Sequence, residues 1–144
     1  MPHRMVSGII ENQRITTCTA QVTVAKAAQL MRQSAVGAIM VTEQGRLVGI
    51  FTERDALFRV IAQGRDAKST RLSDVMTPNP LSIEPNKRFG HALHMMYEGG
   101  FRHVPVVRNG VPIGMISARD VLGPELEEFV DEVRQREHIL EILG

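Results

Sequence analysis

Two hydroxyl residues in this chain are each followed three positions later by an aspartate: Thr52 with Asp55, and Ser117 with Asp120. Both pairs close a longer phrase, Gly49-Ile50-Phe51-Thr52-Glu53-Arg54-Asp55 and Gly114-Met115-Ile116-Ser117-Ala118-Arg119-Asp120, written 65 residues apart. That spacing admits two chemistries. In the first, the hydroxyl is a helix N-cap and the aspartate returns the bond, a capping box that needs no ligand. Such boxes favour Glu or Gln at the third position, and capping gives no reason for a glycine three residues earlier in both copies. In the second, the same geometry binds. The amides and positive dipole end of a helix start suit a phosphate, and the Thr or Ser hydroxyl adds a donor. A carboxylate accepts from two neighbouring hydroxyls, as on a ribose, and Gly49 and Gly114 leave the strand bare for a flat base. Phosphate, ribose and base together describe a nucleotide. Arg54 and Arg119 either reach phosphate or pair with the adjacent carboxylates.

The elements that position these residues are also written twice, as a duplication requires. Val36–Asp55 lies over Phe101–Asp120 without a gap. Ala38-Ile39-Met40-Val41 and His103-Val104-Pro105-Val106 lead into apolar strands, and Glu43-Gln44-Gly45 and Arg108-Asn109-Gly110 read as hairpin turns. Leu47–Phe51 and Val111–Ile116 read as the returning strands. Upstream, Val24, Ala27, Ala28, Met31 and Ala35 repeat the helical steps of Phe89, Ala92, Leu93, Met96 and Gly100. Short strands are expected at 15–18 and 81–83, a short helix over 5–11, and a helix from Thr52 to about Gly64. Arg65–Thr70 reads as an exposed linker. Gly123-Pro124 reads as a break before a last helix whose apolar stripe is Leu126, Phe129, Val130, Val133, Leu140 and Leu143.

The bulk properties exclude several classes. A chain of 144 residues suits one domain or two small halves that must pack on each other. A net charge of +1 gives no nucleic-acid or anionic-membrane footprint. No apolar run approaches a membrane span and no signal-peptide core follows the first residues, so the expectation is cytoplasmic. The single cysteine, Cys18, suits a reducing compartment and a small apolar role in a strand. His91 and His94 are three apart on a helix but lack a third ligand, so a solvated face is the better account and no metal is expected.

Strand, helix, strand, strand, helix, written twice, resembles a tandem pair of CBS domains. The two Gly-to-Asp phrases carry the likeness, with Asp74-Val75-Met76-Thr77 and Val104-Pro105-Val106-Val107, over roughly residues 5–123. The resemblance implies an α/β (α+β) fold: two β-α-β-β-α repeats packed about a pseudo-two-fold axis, plus a C-terminal helix. The expected divisions are 1–70, first repeat with its leader; 71–123, second repeat; and 124–144, C-terminal helix. It implies a regulatory module, not an enzyme, that holds adenosine-containing ligands (AMP, ADP, ATP or related) in clefts between the repeats and signals occupancy to a separate partner protein. No cofactor is required. It places phosphate contacts at Arg102 and His103, where the first repeat has Gly37 and Ala38. The cleft this pair faces is therefore expected to be the more phosphate-loving of the two: the one with Ser117 and Asp120, unless the pair leans across to the other. It also implies a homodimer through the helices, and Leu57, Phe58, Val60, Ile61, Val121 and Leu122 exceed what one small sheet needs to cover. The alternatives are a dimerisation module with empty clefts, or a small nucleotide-acting enzyme using His103 and Asp120.

Overall fold

The structure, a computed structural model, describes residues 4–143, with the backbone alone for 124–128. Two antiparallel hairpins form its centre. One pairs β2 (Ala38–Glu43) with β3 (Arg46–Thr52), and the other pairs β5 (His103–Arg108) with β6 (Val111–Ser117). Each turn places two residues at positive φ: Gln44 and Gly45 at 52° and 79°, Asn109 and Gly110 at 53° and 82°. This is the backbone twist a tight hairpin needs. Each hairpin shifts register at the same place, between Val41 and Thr42 and between Val106 and Val107. The hairpins meet where the Leu47 amide donates to the Gly110 carbonyl at 2.9 Å.

The first hairpin gains β1 (Thr17–Thr19), parallel to β2, and β4 (Thr77–Pro78), antiparallel to β3. In the second repeat, the strand expected at 81–83 is reduced to one parallel bridge between Ile83 and Val106. Pro80 and Pro85 bound that segment and can donate nothing to a ladder. Each repeat lays one helix on its hairpin: α2 (Val24–Ser34), capped by Thr23, and α5 (Phe89–Gly99). Val24, Ala27 and Met31 are buried, as are Phe89, Ala92 and Met96, while Ala28 points to solvent. Ala35 and Gly100 end the two helices with left-handed backbone, φ 54° and 71°.

The two short helices exchange places. α1 (Val6–Ile10) buries Val6 and Ile10 in the second repeat's core, with Phe89, Val104 and Ile116. α4 (Leu72–Val75) buries Leu72 and Val75 in the first repeat's core, with Ile39, Val41 and Phe51. The bridges at their starts correspond too, Met5 with Arg88 and Thr23 with Arg71. The leader therefore completes the distant repeat.

Three other expectations are corrected. The helix after Thr52 begins as α3 (Glu53–Asp55) and continues as a π-helical stretch, Ala56–Ile61, in which the Ala62 amide reaches the Leu57 carbonyl at 2.9 Å. The stretch 65–70 is more than a linker: the Thr70 and Ala67 carbonyls accept the Val24 and Ala25 amides at 2.8 and 2.9 Å, and Thr70 is buried. These bonds satisfy orphan donors at the start of α2. Finally, Gly123 does not break the chain. Its φ of −47° and ψ of −63° are helical, and a 3-10 turn (Ala118–Leu122) runs on into α6 (Gly123–Leu143). Of the α6 stripe, Phe129, Leu140 and Leu143 are 60%, 69% and 78% exposed and so are not docked on the body; the Leu126 side chain lies outside the described residues.

Candidate functional site

Both hydroxyl-to-Asp phrases fold as capping boxes. Thr52 Oγ1 accepts the Asp55 amide at 3.1 Å, and the Thr52 amide donates to Asp55 Oδ2 at 3.0 Å. The Ser117 amide donates to Asp120 Oδ2 at 2.8 Å. Each helix start is tied to the residue just before the first strand of its own hairpin, Glu53 amide to Gly37 carbonyl and Ala118 amide to Arg102 carbonyl, both at 2.9 Å. Capping uses one carboxylate oxygen and leaves the other, so capping and binding are compatible.

The surroundings of the two aspartates then diverge. Asp55 is 9% exposed, and its Oδ1 lies 3.6 Å from Arg59 Nε. Asp120 and Ser117 instead line a cavity of about 340 Å³. Its other walls come from the first repeat and the segment before it: Gln13, Ile15 and Thr16, then Val36, Gly37, Ala38 and Met40. A second opening of about 600 Å³ adjoins it, sharing Gly37, His103, Ser117 and Arg119 and adding Arg32, Glu53 and Arg102. The first is near the low end of ligand-site volumes, enough for a nucleoside. The second supplies cations beside it.

Seen by residue, Ser117, Arg119, Asp120, Arg102 and His103 come together on these walls, with Ser117, Arg119 and His103 on both. Thr52, Arg54 and Asp55 line neither opening. Arg54 instead lies over the Phe58 ring, 5.6 Å from its centroid. The spaces left by Gly49 and Gly114 are occupied by the exchanged segments. A Cβ on Gly49 would stand 2.5 Å from Met76 Sδ, and one on Gly114 2.6 Å from Ile10 Cγ2. The leader also braces the site. Gln13 donates to the Met115 carbonyl at 2.8 Å and accepts its amide at 2.6 Å, while Arg4 donates to the Asp120 carbonyl at 2.6 Å and stacks on Phe89.

Burial is the main cause holding the His103 imidazole below its ordinary pKa; Glu53 and Asp120 act to raise it, and Arg102 to lower it further. Burial likewise pushes the Cys18 thiol up to about 11. His94 pairs with Glu98 at 2.9 Å on an exposed helix face, and among the described residues no group of three His, Cys, Asp or Glu is placed to hold a metal. Nor is any helix among them long and apolar enough to cross a membrane. The wall residues Gln13, Ile15, Thr16, Arg32 and Glu53 were not singled out from the sequence. The 65-residue offset offers a signal for part of this set, because a cleft between repeats must be walled by strand starts from both.

Comparison with known proteins gives a consistent picture. A family model for the CBS domain matches residues 6–62 and 72–124. The chain is 37% identical over 123 residues to a mitochondrial CBS domain-containing protein of Arabidopsis thaliana, CBSX3, covering 82% of this chain and 60% of that one. A CBS-domain protein from Burkholderia ambifaria, named for signal transduction, superposes with a TM-score of 0.79 at 31% identity, over 85% of this chain and 94% of that one. A CBS domain protein from Pyrobaculum aerophilum, complexed with AMP, superposes with a TM-score of 0.72 at 24% identity, over 81% and 88%.

Proposed function

The chain belongs to the CBS-domain family, and from that premise we propose that it is a regulatory module that binds an adenosine-containing ligand, AMP, ADP, ATP or a related compound, between its two repeats and passes occupancy to a separate partner protein. One observation carries the reading. A nucleoside-sized cavity joins Ser117 and Asp120 of one repeat to Val36–Ala38 of the other, and cations lie just beyond it. The base would enter between the Thr16 and Val36 walls, the ribose hydroxyls would reach the free oxygen of Asp120, and phosphate would face Ser117, His103, Arg102 and Arg119. Gly114, through its accommodation of Ile10, would shape the cavity from behind. The AMP in the Pyrobaculum aerophilum neighbour supports the ligand class.

The first-repeat phrase, Gly49, Thr52, Arg54 and Asp55, would form the weaker site, because Asp55 is already paired with Arg59. We assign no catalysis and no required cofactor: Ser117 and Asp120 hold each other's backbone instead of forming a nucleophile–base pair. Cys18 suits a reducing compartment, for which we take the cytoplasm. We further take the chain to be a homodimer, for reasons of surface developed below.

Adenine nucleotides should stabilise the fold without being consumed. At ten to a hundred times its dissociation constant a ligand adds about 1.4 to 2.7 kcal/mol, a readable melting shift. In calorimetry, Asp120→Ala should remove the tighter binding event and Asp55→Ala the weaker. If no adenosyl compound moves the midpoint, the alternative of a dimerisation module with empty clefts takes over.

A further inference from the structure

The opening beside the nucleoside-sized cavity is not uniformly cationic. Arg32, Arg102, His103 and Arg119 line it, and so does the carboxylate of Glu53. Glu53 has a place made for it. A Cβ on Gly37 would stand 3.2 Å from Glu53 Oε1 and 3.3 Å from its Cδ, so any side chain there would push the carboxylate aside by a few tenths of an ångström. The counterpart of this pair in the second repeat has the opposite sense. Where the first repeat has Gly37 and Glu53, bonded backbone to backbone, the second has Arg102 and Ala118, bonded in the same way. One repeat contributes an acid with a gap opposite, the other a base with a gap opposite, and both charges face one opening. Glu53 is also the foremost charged group acting to raise the His103 pKa, which puts it within electrostatic reach of the imidazole.

From this juxtaposition, and resting on the nucleotide reading above, we infer that Glu53 is the residue that limits how many phosphates the site accepts. It is a built-in anion that competes for Arg102, His103 and Arg119. A single phosphate next to the ribose meets the Ser117 hydroxyl and the His103 imidazole. A longer chain must extend across the opening and meet the carboxylate as well. Like charges a few ångströms apart in well-hydrated surroundings change affinity by about fivefold.

The test is calorimetry of AMP and ATP against the full chain and Glu53→Gln, each with EDTA and with magnesium. Glu53→Gln should leave AMP binding nearly unchanged and raise the affinity for ATP about fivefold in EDTA. Glu53→Asp, which keeps the charge on a shorter stem, should fall between. Melting of each apo protein checks that the exposed substitution leaves the fold intact. An ATP-to-AMP ratio unchanged by Glu53→Gln, with both ligands still lost in Asp120→Ala, would overturn the inference and leave the nucleotide reading standing. Weaker ATP binding by Glu53→Gln in magnesium would also overturn it, because the carboxylate would then be serving a bridging cation. Absence of binding by the parent chain would overturn both.

Discussion

On the proposed reading, His103 would couple ligand binding to protons. Burial keeps its imidazole neutral at a pH where an exposed histidine is already partly charged. A phosphate placed beside it favours the imidazolium, so binding a phosphorylated ligand should take up a proton. Affinity for such ligands should accordingly fall as pH rises above the lowered pKa of the free site. The linkage to folding has the opposite sense. The unfolded chain binds this proton more readily, so the contribution of His103 to stability is complete above about pH 6.5 and is lost as pH falls towards the folded-state value. Calorimetry in two buffers of different ionisation heat reads the uptake directly. An AMP binding enthalpy that does not depend on the buffer, or one that still depends on it in His103→Gln, would remove His103 from this role. The sequence could name His103 and Arg102 as candidates. It could not show that Glu53 faces them, because that contact depends on Gly37, a residue whose contribution is the space it leaves.

The exchanged helices explain why the duplicated phrase begins with glycine. Each glycine admits a side chain from the other repeat's short helix segment, Met76 over Gly49 and Ile10 over Gly114. The two positions should differ in tolerance. Methionine is unbranched and can move its sulfur aside, whereas isoleucine is stiff next to its backbone and Ile10 is additionally packed in the second core. Gly114→Ala should therefore cost more than Gly49→Ala, within the roughly 1 to 3 kcal/mol typical of overpacking. Denaturant melts of the two variants decide it, and equal costs or a reversed order would count against the packing account. The hairpins, their turns and the two long helices were legible because periodicity and turn chemistry are local. The exchange was not, since it is a choice between two equivalent apolar grooves that no local pattern distinguishes. The π-helical stretch after Asp55 is illegible for a related reason: its residues are ordinary helix formers, and the winding depends on their packing.

The surface left over by this architecture points to a second copy. Leu57, Phe58, Ile61 and Leu122 are each at least half exposed, as are Phe129, Ile139, Leu140, Ile142 and Leu143 on α6. The first half of α6 is acidic, with Glu125, Glu127, Glu128, Asp131 and Glu132, whereas its second half balances Arg134 and Arg136 against Glu137 and Glu141. Parallel pairing of two α6 helices would set like charges together, so an antiparallel contact is expected. Light scattering should find a dimer at micromolar concentration, and Phe129→Glu with Leu140→Glu should weaken it at least tenfold. A parent chain that is monomeric under those conditions would refute the assembly. The crossing of α1 to the second core also has a temporal consequence. During synthesis α1 leaves the ribosome ahead of both hairpins, yet its groove does not exist until Ile116 has been made. The first core, waiting only for Leu72 and Val75, can close much sooner. The nascent chain must therefore carry Val6 and Ile10 unburied until the second hairpin is made, so α1 finds its place later than α4, although it is made earlier.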